Sequence, residues 1–124
     1  MVRPGLVRLK VRADFLRVAQ GVRWACPSLV LQMRAAPTEI SAPLVRLGFT
    51  ATKKLGNAVV RNRVKRRLRA AAQAVMPLHA RPGHDYVLVG REATPLRAFS
   101  ALLQDLTQAL KKVHSMRPRE AQTS

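Results

Sequence analysis

The sequence predicts a single α+β domain with the element order αββαβα. Its 124 residues match the usual size of one domain, and its hydrophobic fraction of 48% is sufficient for a packed core. Short apolar runs typical of strands alternate with longer segments whose apolar residues recur at helical spacing. A further short strand near Trp24 is an open alternative. The domain is predicted to span residues 1–115, and the polar residues 116–124 to form a flexible tail.

The N-terminal part of this domain is predicted to form an extended arm and a short helix. Residues 1–11 are basic and contain proline and glycine, which favours an extended basic arm. Phe15, Leu16 and Ala19 then recur at helical spacing. This spacing predicts a helix over residues 13–20.

Two strands are predicted next. Residues 28–33 are an apolar, β-branched run, and residues 45–52 alternate apolar side chains with polar or small ones. The alternation predicts that one face of the second strand is buried and that the other, which carries Arg46, is a small positive surface usable for RNA. The two strands can pair as an antiparallel hairpin across the proline-containing loop at 35–43.

A long helix is predicted over residues 58–75. Asn57 has the side chain of a good N-cap, and Pro77 is expected to end the helix. Five apolar residues spaced for one helix face form its core stripe: Val60, Val64, Leu68, Ala71 and Val75.

The C-terminal part is predicted to add a strand and a last helix. The strand covers residues 85–90 and is expected to lie parallel to the strand at 45–52, because a helix connects the two. Thr94 and Pro95 have the residue types of an N-cap and a first helical position. The core stripe of this last helix is predicted as Leu96, Phe99, Leu103, Leu106, Leu110 and Val113.

The charge of the chain narrows the class of partner. Lys and Arg number 23 against 6 Asp and Glu, so the formal net charge is +17. Such self-repulsion in one small domain is tolerated mainly when a polyanion offsets it. Nucleic acid is therefore the first predicted partner and an anionic membrane surface the second. A free-standing metabolic enzyme and a protein acting on acidic substrates are disfavoured.

The remaining composition predicts a cytoplasmic protein without a metal site. Cys26 is the sole cysteine, which excludes an internal disulfide and fits a reducing compartment. The three histidines show no metal-ligand spacing, and no apolar run reaches the ~18 residues of a membrane span. Trp24 and Cys26 are interpreted as packing residues, and His84 and Asp85 are given no acid–base role.

Residues 53–69, which read KKLGNAVVRNRVKRRLR, contain eight basic and no acidic residues. Like charges four residues apart, such as Arg61 and Lys65, destabilise an isolated helix. Contacts with phosphates would reverse this effect, and the excess of arginine suits bidentate recognition of phosphates and bases. Two alternatives remain open. A merely solvated face is disfavoured by the missing acidic partners, and a membrane-surface helix by the narrow apolar stripe without Trp or Phe.

Four segments carry a resemblance to a known family. The segment KKLGNAVVRNRVKRRLR resembles the RNR motif of the bacterial ribonuclease P protein component. ADFLRV resembles the first helix of that family, VRLGFTATKK its central strand and HDYVLVGREAT its last strand. The resemblance covers residues 8–113 in the expected order.

The resemblance implies a fold and a function. The fold is an αβββαβα sandwich with a mixed four-stranded sheet, of a kind also found in a ribosomal protein domain. Its βαβ crossover is left-handed, against the general right-handed rule. The function is that of the protein subunit of ribonuclease P, which binds one catalytic RNA and the 5′ leader of precursor tRNA. The RNA removes the leader endonucleolytically with Mg²⁺, which the RNA and the substrate mainly hold, and no membrane is involved.

The resemblance also implies two sets of binding residues and no catalytic or metal-binding residue. Residues of the motif and of the turn before it would contact the catalytic RNA: Lys53, Lys54, Asn57, Arg61, Asn62, Arg63, Lys65, Arg66, Arg67 and Arg69. The leader-binding cleft would be lined by Phe15, Arg12, Thr50 and Thr52. Ala19 and Gln32 stand where members of the family often have aromatic residues, which predicts weaker base stacking on the leader.

Two other functions remain as alternatives. A structural RNA-binding protein, such as a ribosomal protein, fits the composition equally well because small basic α+β domains are common in ribosomes. An independent nuclease is disfavoured, because the sequence offers no nucleophile–base arrangement and its acidic residues are too scattered for a two-metal site.

Overall fold

The computed structural model describes residues 5–37 and 44–117. In chain order the elements are β1 (Gly5–Arg8), α1 (Arg12–Ala19), β2 (Val22–Cys26), β3 (Leu29–Ala35), β4 (Leu44–Thr50), a short 3₁₀ helix (Lys53–Leu55), α2 (Ala58–His79), β5 (His84–Gly90) and α3 (Phe99–His114). The start of the predicted arm, part of the loop at 35–43 and most of the predicted tail lie outside the described residues.

The strands form one mixed five-stranded sheet in the order β1-β4-β5-β3-β2. β3 pairs antiparallel with β2 and with β5, and β4 pairs parallel with β5 and with β1. The expected four-stranded sheet is therefore extended by one edge strand, β1. This strand forms where we predicted only an extended arm, because Gly5 to Arg8 line up in register with Leu44 to Leu47 of β4.

The predicted hairpin between β3 and β4 is wrong. β5 lies between β3 and β4 and pairs with both. Its Tyr86, Val87 and Leu88 are all buried, so β5 is covered on both faces and takes the centre of the sheet. The hairpin partner of β3 is instead β2, which confirms the additional strand near Trp24. The parallel arrangement of β4 and β5 around α2 is also confirmed, and the left-handed crossover stays a prediction.

The helices cover both faces of the sheet. Successive strand residues point to opposite faces, and Tyr86 and Leu88 belong to a core cluster shared with α2 and α3. Val87 belongs to a second, smaller cluster with Leu9 and Val18, the latter on α1. Thus α2 and α3 share one face of the sheet, and α1 covers the other.

Helix α2 runs two residues beyond Pro77, which was predicted to end it. Proline lacks the amide hydrogen of an internal helical bond. Pro77 lies in the last turn, however, so the helix loses only one bond before Ala80 N closes it on the carbonyl of Met76 at 2.9 Å. The start is as predicted, because the Asn57 side chain accepts a hydrogen bond from Val60 N at 3.0 Å.

Helix α3 begins at Phe99, not at Thr94 and Pro95 as predicted. Thr94 is buried, and its hydroxyl donates to the carbonyl of Ser28 at 2.6 Å and accepts from Arg91 N at 2.8 Å. This threonine therefore ties a turn to the β2–β3 hairpin instead of capping a helix. As a result Leu96 is 86% exposed and Phe99 41% exposed, and the predicted core stripe is wrong at these two positions. The rest of the stripe packs inward, together with two residues that were not predicted: Leu102 and Ala109.

The end of α3 is fixed by two partly buried hydrogen bonds. The Tyr86 hydroxyl accepts from Arg81 N at 2.8 Å and shares a hydrogen bond with Nε2 of His114, also at 2.8 Å. Burial raises the pKa of Tyr86 to about 12. Burial, and after it the positive charge of Arg81, lowers the pKa of His114 to about 4. The folded protein thus favours the neutral imidazole at this position.

We expect His114 to make the fold less stable as the pH falls from 7 to 5. In this range the unfolded state gains a proton on His114 and the folded state does not, so the free energy of unfolding decreases. The loss from this group is about 1 kcal/mol after allowance for solvent screening, and it stops near pH 4, where the folded state also takes up the proton. Urea unfolding at several pH values measures it.

The control for this prediction is a second histidine. His114→Asn should remove this part of the pH dependence, whereas His79→Asn, at an exposed position, should retain it. Equal pH dependence in wild type and His114→Asn would contradict the assignment.

Candidate nucleic-acid interface

The connection from β4 to α2 places polar and basic side chains at the start of the helix. After Thr50 the chain turns through the short 3₁₀ helix, which exposes Lys53 and Lys54. Gly56 follows with a φ of 139°, a value that favours glycine, and Asn57 caps α2. The predicted RNA-binding residues that precede the motif are thus brought together at the N-terminus of α2.

The first three turns of α2 carry the basic residues of the motif. Its apolar stripe packs against the sheet and α3, since Val64 and Leu68 are fully buried. The other sides of the helix therefore present charge to the surface. Asn62, Arg63 and Arg66 are exposed, and four residues are half-buried: Arg61, Lys65, Arg67 and Arg69. We call the ten predicted RNA-binding residues from Lys53 to Arg69 the α2 surface.

One flank of the α2 surface borders strand β1. The guanidinium of Arg69 lies 6.0 Å from the centre of the Phe49 ring, and that of Arg8 lies 5.5 Å from it. Arg61 and Lys65 follow on the same side of the helix at steps of four. Sequence reasoning missed Arg8 because it predicted an extended arm and not a strand of the sheet. Its signal was the basic residues of the arm itself.

The other flank borders the start of α3. The Arg67 guanidinium donates to the carbonyl of Arg97 and lies 5.9 Å from the centre of the Phe99 ring. Arg63 precedes Arg67 by one turn and lies on the same side of α2. We call Arg63, Arg67 and Phe99 the α3 flank. Arg67 is therefore partly engaged within the protein, unlike the exposed Arg63 and Arg66.

The positive charge of α2 is not compensated by the acidic residues that the structure describes. Within residues 5–37 and 44–117, the ion pairs join Asp14, Asp85 and Asp105 to arginines outside α2. In the same ranges, the Nε atoms of three α2 arginines are buried without a hydrogen-bond partner: Arg61, Arg67 and Arg69. The aliphatic parts of these side chains pack on the protein, while their guanidinium groups lack a carboxylate partner in the described part of the chain.

The opposite face of the sheet carries the predicted leader-binding residues Phe15 and Thr50. Phe15 packs beside the small cluster of Leu9, Val18 and Val87. Its ring lies so close to β4 that a Cβ on Gly48 would be 2.5 Å from it. Gly48 therefore allows the ring to approach the strand closely, on the face that Thr50 shares. Arg12 and Thr52, the other two predicted cleft residues, are exposed at the start of α1 and after β4.

Arg46, predicted to make the outer face of β4 positive, is neutralised by two carboxylates. Its guanidinium donates to both carboxylate oxygens of Asp85 at 2.8 and 2.9 Å, and it lies 3.1 Å from Asp14. The hydrogen bonds with Asp85 raise the pKa of Arg46. Arg17 of α1 also donates to Asp85, whose side chain is 0% exposed. This face is therefore less positive than predicted.

Asp85 is a structural residue that sequence reasoning missed. It binds one arginine from β4 and one from α1. Asp85 therefore fixes α1, the helix that carries Phe15, on the sheet. The signal for it was a single aspartate at the start of an otherwise apolar strand, DYVLVG, because a buried carboxylate needs cationic partners.

Neither a metal cluster nor a membrane helix is found in the part of the chain that the structure describes. No three His, Cys, Asp or Glu side chains there lie close enough together to hold a metal ion. No helix there is long and apolar enough to cross a membrane.

With this geometry established, comparison with known proteins identifies the family. The sequence model of the family described as Ribonuclease P matches residues 4–114. The chain belongs to the ribonuclease P protein family. It is 52% identical over 118 residues to the ribonuclease P protein component of Paramagnetospirillum magneticum. The aligned region covers 94% of this chain and 89% of that protein. It is 48% identical over 115 residues to that of Ruegeria pomeroyi, with 92% and 91% covered.

Solved structures of ribonuclease P proteins share the fold. The Staphylococcus aureus protein superposes with a TM-score of 0.70 at 29% identity, covering 89% of this chain and 97% of that one. The Thermotoga maritima protein gives a TM-score of 0.70 at 26% identity, covering 85% and 96%. The mixed α+β fold and the predicted family are thus confirmed.

Membership in the ribonuclease P protein family fixes the general function. The chain is the protein subunit of the endoribonuclease ribonuclease P, the enzyme of tRNA 5′ maturation, and its partner is ribonuclease P RNA. The family motif falls on the α2 surface, and the segment resembling the first helix falls on α1, on the other side of the sheet.

Proposed function

We propose that the chain binds ribonuclease P RNA through the α2 surface. The observation that carries this proposal is the group of α2 cations that lack an acidic partner among the described residues. Phosphates of a folded RNA would supply the missing negative charge and release bound counterions, which favours association. Arg8 adds to this surface beside Phe49.

We propose that the single-stranded 5′ leader of precursor tRNA lies on the opposite side of the sheet, along α1 and β4. Phe15 is half-buried and offers part of its ring to a base. Gly48 leaves the strand beneath it free of a side chain. Thr50, Thr52 and Arg12 supply hydroxyl groups and a positive charge for the leader backbone. Because Arg46 is bound to carboxylates, this surface holds the leader with few charges.

The cleavage chemistry is proposed to belong to the RNA. Asp14, Asp85 and Asp105 are each bound to an arginine and do not fit as ligands of Mg²⁺. We therefore assign Mg²⁺ to the RNA subunit and the substrate and derive no step through it on this protein. The single α2 surface suits one protein per RNA. We infer a cytoplasmic location because both RNA partners act there.

Reconstitution tests the proposed function. The purified chain is mixed with ribonuclease P RNA and a precursor tRNA, and removal of the leader is followed at low and at high Mg²⁺. We expect the protein alone to be inactive and the complex to cleave at a low Mg²⁺ concentration at which the RNA alone is slow, because the protein neutralises phosphate charge. A Phe15→Ala variant should weaken the binding of the leader-bearing substrate by roughly 5- to 150-fold and leave mature tRNA binding unchanged.

Two results would oppose the proposal. Cleavage by the chain after complete removal of RNA would place the chemistry on the protein. Co-purification with ribosomal subunits, instead of with one RNA of a few hundred nucleotides, would favour the structural RNA-binding alternative.

A further inference from the structure

The start of α3 exposes an aromatic ring beside the basic helix. Of the five aromatic residues of the chain, Phe99 is the most exposed at 41%, whereas Phe49 and Tyr86 are buried and the other two are half-buried. Leu96, three residues earlier, is 86% exposed. An exposed aromatic and a largely exposed leucine three residues apart in the sequence indicate a surface that is stabilised by a partner.

A chain of hydrogen bonds orders the turn that precedes this ring. Arg67 donates to the carbonyl of Arg97, and its guanidinium lies 5.9 Å from the centre of the Phe99 ring. Arg97 in turn is bound to Asp105 at 2.7 and 3.0 Å. Asp105 also accepts from the Ser28 hydroxyl at 2.7 Å, which connects the turn to the β2–β3 hairpin. The ring therefore sits on an ordered support, which lowers the entropy lost on binding.

The charge around the ring selects the class of partner. Arg63 and Arg66 are exposed on the same helix as Arg67 and have no ion pair among the described residues. An exposed aromatic ring with one arginine against it, on a helix that carries further unpaired arginines, matches a nucleobase together with its phosphates. An apolar protein surface would match the ring but would leave the arginines desolvated and unpaired.

We propose that Phe99 stacks on an unpaired nucleobase of ribonuclease P RNA while Arg63 contacts an adjacent phosphate. The inference rests on the proposed function and adds a base-stacking contact to an interface otherwise built from charges. The 5′ leader is not the occupant, because Phe99 lies on the α2 and α3 side of the sheet and Phe15 on the other.

The test compares two substitutions of similar apolar character. Phe99→Trp keeps a stacking surface, and Phe99→Leu keeps apolar bulk without one. We expect Phe99→Leu to weaken the affinity for ribonuclease P RNA by roughly 5- to 150-fold and Phe99→Trp to retain it. The loss should be the same at every salt concentration, since stacking releases no counterions, so a plot of log K against log salt shifts in parallel.

Leu78→Ala is the matched control, because Leu78 is 65% exposed at the far end of α2. It should bind like the wild type. Thermal unfolding of each variant shows whether the domain is still folded. Replacement of Phe99 by a photoreactive benzophenone amino acid should give a crosslink to an unpaired nucleotide of ribonuclease P RNA.

The proposal is overturned if Phe99→Leu binds this RNA as tightly as the wild type. It is equally overturned if the crosslink falls in a paired helix, on the leader or on a protein. In each of these cases the wild-type chain still binds the RNA and supports cleavage. Failure of the proposed function would instead appear as wild-type protein that does not bind the RNA at all.

Discussion

Replacing Arg61, Lys65 and Arg69 with alanine is expected to weaken the affinity for ribonuclease P RNA by about 10²- to 10³-fold at low salt. These residues form one side of α2 and have no acidic partner among the described residues. If the wild type neutralises about six phosphates, log K falls with log salt at a slope near −4 to −5. Loss of three contacts should flatten this slope by about 2 to 3. Filter binding across a salt series measures both quantities.

The matched control removes the same charge elsewhere. Arg23, Arg81 and Lys111 are exposed, and their side chains make no hydrogen bond to the described residues. Their triple alanine variant has the same net charge as the first but should keep most of the affinity and the slope. Equal losses in the two variants would mean that only the total charge of the protein matters. Circular dichroism checks that both variants are folded.

Asp85→Asn is expected to lower the free energy of unfolding by about 3–5 kcal/mol. The substitution leaves Arg17 and Arg46 without their shared carboxylate, and their side chains are only 22% and 13% exposed. Removing one partner of a buried ion pair is this costly because the remaining charge stays desolvated. Urea unfolding at pH 7 measures the change. Since Asp85 joins α1 to the sheet, the variant should also bind the leader-bearing substrate more weakly.

Asp14→Asn is the control for this prediction. Asp14 contacts the same Arg46 but is 25% exposed, so water replaces part of the lost interaction. We expect a loss of about 1 kcal/mol or less. If Asp85→Asn were no more destabilising than Asp14→Asn, the carboxylate of Asp85 would not be the centre of this cluster.

The features that the sequence predicts correctly depend on neighbours in the chain. Helix α2 follows from a spacing of three and four residues, and its first residue follows from Asn57, whose side chain bonds to the backbone three residues later. The basic residues of the motif are exposed or half-buried because the apolar stripe leaves them no other side of the helix. Such local rules need no knowledge of distant partners.

The features that the sequence does not predict depend on distant partners. Thr94 has the side chain of an N-cap, but it bonds to Ser28, 66 residues away in the sequence. β3 and β4 have the pattern of a hairpin, but β5 lies at the centre of the sheet, where its consecutive residues Tyr86, Val87 and Leu88 are buried on both faces. The structural role of Asp85 depends on arginines from two other elements. The division of the site into two sides of the sheet therefore had to come from the structure.

The strand order has a consequence for synthesis of the protein. Among the strands that the structure describes, β5, the centre of the sheet, is the last to leave the ribosome, and β1, the first, pairs with β4. A nascent chain that ends before His84 can form the β2–β3 hairpin and the basic helix but cannot join β3 to β4. The sheet that separates the two proposed RNA-binding sides is thus completed only after β5 has been synthesised. Shortened products would keep the positive charge of α2 without the complete sheet that orients this helix.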